Sequence, residues 1–217
     1  GVEVTPVAST VDRVSQRVLH VEAGGKRGLL AGLLRGPTVE RVLVFARTKH
    51  GADKVVKMLE QDGLSANAIH GNKSQGQREN ALAQFKSGRA PILVATDIAA
   101  RGIDVAGVSH VVQYDLPDTP ESYVHRIGRT ARAGASGEAV SLCAPDEIEK
   151  LRAVERLIRQ AIPAEDMRAD TSRPIVAVKP APRAQRGGGG AGHRGRGGAP
   201  GGGSGATQHA PRPRGQG

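Results

Sequence analysis

The feature that most constrains this chain is a regular alternation of apolar, β-branched runs with polar segments of helical pattern. The runs are RVLVFA (41–46), PILVAT (91–96), SHVVQY (109–114) and EAVSLC (138–143), with a weaker run, SANAIH, at 65–70. Short apolar runs of this kind are typical of strands that are buried on both faces. Strands that alternate with helices form a parallel sheet covered by helices, and the sequence therefore predicts an α/β fold.

Helical patterns fill the intervals between these runs, at 26–35, 49–62, 74–87, 119–128 and 145–161. The third pattern begins with SQGQ, a serine with a glutamine three residues on, which predicts a capping box. In parallel sheets, ligands bind beyond the carboxyl ends of the strands. We therefore expect the polar segments that follow the strands to lie at one edge of the sheet. These segments are RTKH, HGNKSQGQR, TDIAARGID and HRIGRTARAG.

Residues 171–217 have a composition unlike that of the rest of the chain. They contain 8 Lys and Arg residues and no Asp or Glu, and they therefore supply most of the net charge of +10. They also contain 14 of the 30 Gly and 6 of the 13 Pro, and no large apolar residue follows Val178. Such a segment cannot bury a core, so we predict a disordered basic tail after a globular part.

The sequence argues against several classes of protein and site. The only cysteine, Cys143, lies in an apolar run, which predicts a buried structural thiol and a protein of the reducing cytoplasm without disulfides. No stretch approaches the roughly 20 apolar residues of a membrane span. The 7 histidines show no spacing typical of metal ligands, so we predict no metal site in this chain.

The segment HRIGRTARAG (125–134) concentrates the basic residues His125, Arg126, Arg129 and Arg132. On a helix, His125, Arg129 and Arg132 share one face, where like charges repel each other. The segment contains no acidic residue, which makes an internal salt bridge a poor explanation of the charge. Two interpretations remain, a solvated basic face and a site for an external anion.

Four segments in this order resemble the motifs of the C-terminal RecA-like domain of DEAD-box RNA helicases, which belong to superfamily II. VLVFART is similar to motif IV, QGQR (75–78) to the QxxR element, ATDIAARGIDV to motif V and YVHRIGRTARAG to motif VI. The resemblance covers about residues 38–145. It implies a RecA-like domain over 38–165, preceded by a strand and a helix within 1–37 and followed by the basic tail over 171–217. The Arg and Gly residues of that tail resemble those of the RhlE-type bacterial branch.

The resemblance implies roles in ATP hydrolysis for motifs V and VI. Arg129 and Arg132 match the catalytic arginine fingers, whose planar guanidinium groups donate pairs of hydrogen bonds to phosphate oxygens. Both also count as ATP-binding residues, together with Asp104, which matches the residue that bonds the ribose, and Gly102, which lets the backbone approach closely. The resemblance assigns coupling with an acidic motif of a preceding domain to Arg101, His125 and Arg126.

The resemblance also implies contacts with RNA phosphates, made by Thr48, Gly71, Arg78 and Thr96. Phosphate contacts carry little sequence information, so such a surface grips the backbone without reading bases. A simpler interpretation of Thr96 and Gly102 is turn chemistry after a strand, and Asp97 is equally well explained as a helix N-cap. The arginines of the tail favour electrostatic binding of RNA, and a solubilising linker is the simpler alternative.

Two elements of a complete helicase are missing from this sequence. The pair Gly25–Lys26 lacks the other residues of a phosphate-binding loop, and no DEAD string occurs. In the family these elements belong to an N-terminal RecA-like domain that holds most of the ATP and its Mg²⁺.

The resemblance therefore implies half of a cytoplasmic ATP-dependent RNA helicase, which is inactive alone. Its expected partners are RNA, the N-terminal domain, and ribosomal or RNA-decay proteins. A non-enzymatic RNA-binding or annealing module is the alternative. A DNA helicase of the same superfamily is disfavoured by the motif VI match.

Overall fold

The centre of the structure is a seven-stranded parallel sheet. The computed structural model describes residues 10–103, 105, 107–130 and 137–179. The strands are β1 (Val14–His20), β2 (Val42–Phe45), β3 (Ala66–Ile69), β4 (Ile92–Ala95), β5 (His110–Gln113), β6 (Gly137–Cys143) and β7 (Ala164–Asp166). They lie in the order β3-β4-β2-β5-β6-β1-β7, and every pairing is parallel. The predicted α/β class is therefore confirmed.

Within the residues that the structure describes, six α-helices lie between the strands. They are α1 (Lys26–Leu34), α2 (Lys49–Gln61), α3 (Gln75–Ser87), α4 (Asp97–Ala100), α5 (Pro120–Ile127) and α6 (Ile148–Ile158). Helix α3 begins with the predicted capping box, in which the Ser74 hydroxyl accepts from Gln77 N–H and the Gln77 side chain accepts from Ser74 N–H. Among these helices, none is both long enough and apolar enough to cross a membrane.

Successive residues of each strand point to opposite sides of the sheet, and helices cover both of these faces. In β2, Val42 and Val44 pack with α1 and α2, whereas Leu43 and Phe45 pack with α3 and α4. Helices α5 and α6 pack against the half of the sheet that contains β1 and β6. The central strands are therefore apolar on both faces, which is why they stand out as continuous apolar runs.

Two strands are not visible in the apolar pattern. The first, β1, is the strand that the resemblance places within residues 1–37 without giving its bounds. Polar residues interrupt its apolar pattern, yet it pairs with β6 from Val14 to His20. The other is β7, which has only 3 residues and is too short to show a pattern.

The ends of two segments also differ from the prediction. Helix α5 ends at Ile127, so Arg129 lies in the turn that follows and does not share a helical face with His125. The first residues of the predicted tail lie against the sheet domain, since Val178 N–H donates to the carbonyl oxygen of Pro145 at 3.0 Å. The rest of the tail, from residue 180, lies outside the described residues.

A buried ion pair holds the carboxyl edge of the sheet on the side of β5 and β6. Lys26, at the start of α1, lies 2.6 Å from Glu147, and each side chain is only 6% exposed. Lys26 Nζ also donates to the carbonyl oxygen of Tyr114 at 2.7 Å. The Glu147 carboxylate accepts from the N–H groups of Leu116 and Ala144. One lysine and one carboxylate thus join the start of α1 to the ends of two strands.

We expect the substitution Glu147→Gln to lower the free energy of unfolding by about 3 kcal/mol, because it leaves the buried charge of Lys26 with only the more distant carboxylate of Asp115, at 3.6 Å, as a counterion. Chemical denaturation of the purified chain measures the effect. The matched control is Asp118→Asn, which breaks the Lys150–Asp118 pair, where the Asp118 side chain is 71% exposed. An exposed pair contributes less than about 1 kcal/mol. Equal losses in the two variants would contradict a special role for the buried pair.

Candidate functional site

The polar segments that follow the strands come together at the carboxyl edge of the sheet. Asp97 follows β4, and Arg126 lies on α5, which follows β5. With the Phe45 ring they line a cavity of about 60 Å³, here termed the arginine cavity. Its lining also includes Ala100, Arg101, Ser122, His125 and Arg129. The structure therefore brings the TDIAARGID and HRIGRTARAG segments together, as their position after the carboxyl ends of parallel strands predicts.

The Arg126 side chain is the buried arginine of the arginine cavity, and only 1% of it is exposed. Its Nε and Nη2 donate to the two carboxylate oxygens of Asp97 at 2.6 and 2.8 Å. Its Nη1 donates to Gln113 Oε1 at 3.3 Å and to the carbonyl oxygen of Asp115 at 2.7 Å. The guanidinium also lies 4.9 Å from the centre of the Phe45 ring, a distance typical of cation–π contacts.

These contacts correct the sequence-based view of the basic segment. An internal salt bridge does explain one of its basic residues, because the partner, Asp97, comes from a different element. Asp97 does not cap α4, whose N-cap is Thr96. The resemblance assigns Arg126 a contact with another domain, and within this chain its guanidinium donates four hydrogen bonds. The geometry makes Arg126 a brace between α4 and α5.

Other predicted residues lie at the rim of the arginine cavity and are more accessible. His125 and Arg101 are exposed, and Arg129 is half-buried, with Nη1 donating to the carbonyl oxygen of Ile103 at 3.2 Å. Next to Arg101, Gly102 has a φ of +76°, a conformation that favours glycine. A Cβ at this position would meet no atom within 4 Å, so backbone strain and not crowding disfavours a substitution.

The charge of the arginine cavity favours an anion. Its lining contains three Arg and one His against one Asp, and that Asp is paired with Arg126. A volume of about 60 Å³ is far below the roughly 300–1,000 Å³ of pockets that enclose small ligands. The site can therefore contact one end of an anionic ligand, most of which must be held elsewhere. The predicted residues Asp104 and Arg132 lie outside the described residues.

Residues predicted to contact RNA lie at the ends of β2, β3 and β4, which are neighbours in the sheet. Thr48 caps α2, since its Oγ1 accepts from the N–H of Gly51 at 3.0 Å. Thr96 begins α4, is buried, and makes no capping hydrogen bond through its side chain. Its N–H donates to the carbonyl oxygen of Ile69, the last residue of β3. This bond extends the pairing of β3 with β4 by one residue, so Thr96 lies at the junction between β4 and α4.

Gly71 and Arg78 extend the same surface. Gly71 is exposed, and a Cβ there would lie 3.1 Å from Cε of Lys49, so a side chain would displace this lysine. Lys49 Nζ also donates to Asn72 Oδ1 at 3.1 Å. Arg78 lies in the first turn of α3, and its guanidinium has no hydrogen-bond or salt-bridge partner among the residues that the structure covers. Thr48, Gly71, Arg78 and Thr96 are here termed the outer surface.

Sequence reasoning misses Asp97, Gln113 and Lys49 as members of these sites. Asp97 and Gln113 lie 29 and 13 residues from Arg126, and no helical or strand period connects such spacings. The signal that could have found them is position, because all three lie at or just after the carboxyl end of a strand. The position of a residue at the carboxyl end of a strand therefore predicts that it lies near the site, but only the fold shows which side chains pair there.

The geometry also bears on thiol reactivity and on metal binding. Cys143 is buried, and burial raises the pKa of its thiol to about 12, so it stays protonated and fits the predicted structural thiol. In the part of the chain with described coordinates, no group of three or more His, Cys, Asp and Glu side chains is placed to hold a metal ion.

Sequence comparisons identify a family and close relatives. Residues 25–134, about half of the chain, match the family described as helicase conserved C-terminal domain. The chain is 44% identical over 159 residues to the DEAD-box ATP-dependent RNA helicase CshA of Geobacillus kaustophilus (strain HTA426). This match covers 73% of the chain and 34% of the relative. The chain thus spans about a third of the length of the curated relatives it matches.

Solved structures with the same fold include DEAD-box proteins. The E. coli protein SrmB, bound to regulator of ribonuclease activity A (RraA), superposes with a TM-score of 0.67 and 35% identity, over 78% of this chain and 97% of that one. The S. cerevisiae protein Dbp5, bound to RNA and ADP BeF3, superposes with a TM-score of 0.66 and 30% identity, over 73% and 42%. The chain therefore belongs to the helicase conserved C-terminal domain family, in the RecA-like form found in DEAD-box RNA helicases.

Proposed function

We propose that this chain is the C-terminal half of an ATP-dependent RNA helicase, to which it supplies arginine fingers and part of the RNA-binding surface. The observation that carries the proposal is the arginine cavity, a cationic site too small to enclose a nucleotide, at the edge where parallel sheets bind ligands. The relatives support it, since CshA is an ATP-dependent RNA helicase and Dbp5 has been solved with RNA and ADP BeF3.

In this enzyme, Arg129 and Arg132 stabilise the negative charge that develops on the transferred phosphoryl group. Arginine suits the task because its planar fork donates two hydrogen bonds and stays charged at any working pH. Arg126 holds the turn that carries Arg129 in place through its contacts with Asp97, and it does not itself reach the phosphate. The three arginines of motif VI thus divide into two fingers and one brace.

The remaining residues of motifs V and VI contact the nucleotide and the other domain. Asp104 accepts a hydrogen bond from the ribose, and Gly102 allows the backbone to approach the nucleotide. Arg101 and His125, which are exposed at the rim, contact the acidic motif of the N-terminal domain. That domain holds the phosphates and Mg²⁺, which neutralises phosphate charge when bound.

The outer surface contacts RNA phosphates in this proposal. Thr48 and Thr96 supply hydroxyl groups, Gly71, which has no side chain of its own, supplies a backbone N–H, and Arg78 supplies a cation. The starts of α2 and α3 add the partial positive charge of helix N-termini. Contacts of this kind hold the RNA backbone and give little base specificity.

The proposed partners are RNA, the N-terminal RecA-like domain and a regulatory protein, since SrmB has been solved bound to RraA. Ribosomal and RNA-decay proteins extend this proposal. A cytoplasmic location fits a chain whose one cysteine is buried and unpaired.

The first prediction from the proposed function concerns the division of the enzyme into two domains. The 217-residue chain alone should release no phosphate from ATP above background, because the phosphate-binding loop belongs to the other domain. RNA-stimulated phosphate release should appear when the chain is joined to the N-terminal domain of a relative such as CshA. A joined protein that anneals RNA strands without hydrolysing ATP would favour the annealing module instead.

The second prediction separates fingers from brace. In the joined protein, Arg129→Lys should lower kcat by about 10³, the usual scale of an arginine finger, with little change in thermal stability. Arg126→Lys should lower the free energy of unfolding by about 2 kcal/mol, because lysine cannot replace the fork of hydrogen bonds to Asp97. Steady-state kinetics and denaturation of both variants measure the two effects. An unchanged kcat in Arg129→Lys would show that Arg129 of motif VI has a structural role and is not an arginine finger.

The third prediction concerns the tail. The first residues of the tail, up to Lys179, lie against the sheet domain. The truncation therefore ends at Lys179 and removes the part of the tail from residue 180 onward, with 6 arginines. Counterion release predicts that the slope of log affinity for single-stranded RNA against log salt then falls in magnitude by at most about 4. A salt titration of both chains measures the slopes. Replacing the same arginines by glutamine, which keeps the tail length, should have the same effect, and equal slopes in all chains would make the tail a solubilising linker.

A further inference from the structure

The turn between β3 and α3, residues 70–73, is held by a hydrogen bond within its backbone and by side-chain contacts with α2. Lys73 N–H donates to the carbonyl oxygen of His70 at 3.0 Å and closes the turn. His70 is only 2% exposed, whereas Gly71, in the middle of the turn, is exposed. Because Gly71 belongs to the outer surface, the shape of this turn decides where its backbone N–H points.

The His70 ring has a defined tautomer. Its Nδ1 accepts the N–H of Asn72 at 3.2 Å, so the ring proton lies on Nε2. Nε2 lies 2.9 Å from Oδ2 of Asp53 on α2, although off the straight line of a hydrogen bond. His70 therefore links the backbone of the turn to a carboxylate on a different element.

Asp53 completes the linkage with its second oxygen, Oδ1, which lies 3.0 Å from Nζ of Lys73. Partial burial raises the pKa of Asp53, but the contacts with His70 and Lys73 outweigh burial and hold the pKa below its ordinary value. Asp53 is therefore charged at neutral pH, and it contacts both the first and the last residue of the turn. These contacts fix the turn relative to α2, the helix that Thr48 caps.

A carboxylate is not what simple electrostatics favours on a surface that binds phosphates, because like charges repel. We infer that Asp53 and His70 form a positioning pair that holds the 70–73 turn in its RNA-binding shape, so that Asp53 strengthens RNA binding despite its charge. The inference rests on the proposed RNA-binding role of the outer surface. Removing the carboxylate also frees Lys73, so charge alone predicts tighter binding of RNA, whereas the positioning role predicts weaker binding.

The test is the affinity of the full chain for a fluorescein-labelled single-stranded RNA, measured by fluorescence anisotropy. The salt concentration is chosen so that Arg78→Ala weakens binding, because the assay then reports on the outer surface as well as the tail. Asp53→Asn should raise the Kd about fivefold, which corresponds to a loss of about 1 kcal/mol. The control is Glu79→Gln, which removes a carboxylate next to Arg78 whose hydrogen bond is to Gln75, and it should leave the Kd unchanged or lower it.

Two variants of His70 separate its ring atoms. His70→Asn keeps an acceptor where Nδ1 stands but loses the contact of Nε2 with Asp53. The Asn72 N–H should therefore stay protected from hydrogen exchange, while the Kd rises about as far as in Asp53→Asn. His70→Gln lacks an acceptor at that position and should lose both the protection and about fivefold in affinity. Thermal unfolding shows whether each variant folds. The Asp53 side chain is 46% exposed, so Asp53→Asn decides the question where a His70 variant does not fold.

The outcomes distinguish this inference from the function on which it rests. If Arg78→Ala weakens binding while Asp53→Asn binds RNA as tightly as wild type or more tightly, the positioning role is wrong and the RNA-binding role of the outer surface stands. If Arg78→Ala has no effect at any salt concentration, the RNA-binding role is wrong, and the inference falls with it.

Discussion

The arrangement of the site depends on the pair between the buried Arg126 of α5 and Asp97 of α4, whose side chain is 39% exposed. Such a pair contributes little net stability, because removing the guanidinium charge from water offsets much of the attraction to the carboxylate. Its main effect is orientation, since two parallel hydrogen bonds fix the plane of the guanidinium. The ring of Phe45 ties the same group to the end of β2. Arg129 follows three residues later, in the turn after α5, where its Nη1 donates to the carbonyl oxygen of Ile103.

The loop after β5 connects this pair to the rest of the edge. The carbonyl oxygen of Asp115 accepts from Arg126, and its carboxylate accepts from the N–H of Arg47 at 2.9 Å. The same carboxylate lies 3.6 Å from Nζ of Lys26, which is paired in turn with Glu147. The ends of β2, β5 and β6 are thereby joined by charged groups. Such support keeps a functional site in its working geometry before a ligand binds.

The sequence predicts the parts of this structure that depend on local patterns. Runs such as RVLVFA and PILVAT correspond to central strands because both of their faces are buried, and helix α3 begins where its capping box predicts. The edge at which the polar segments meet follows from the parallel topology. The pairs within that edge do not follow, because Arg126 and Asp97, or His70 and Asp53, are joined only by the fold. Strand β1 is obscured for a related reason, since Arg17 within it pairs with Glu138 of β6.

The central claim is that Arg129 reaches a triphosphate held by another domain while Arg126 stays on Asp97. The most direct measurement is a crystal structure of the chain joined to an N-terminal DEAD-box domain, with single-stranded RNA and ADP–BeF₃, a mimic of ATP. The account predicts a guanidinium nitrogen of Arg129 within about 3.2 Å of the fluoride atoms that stand in for the γ-phosphate oxygens, with the Arg126–Asp97 pair intact. An Arg126 side chain that leaves Asp97 for the nucleotide, with Arg129 pointing away, would contradict it.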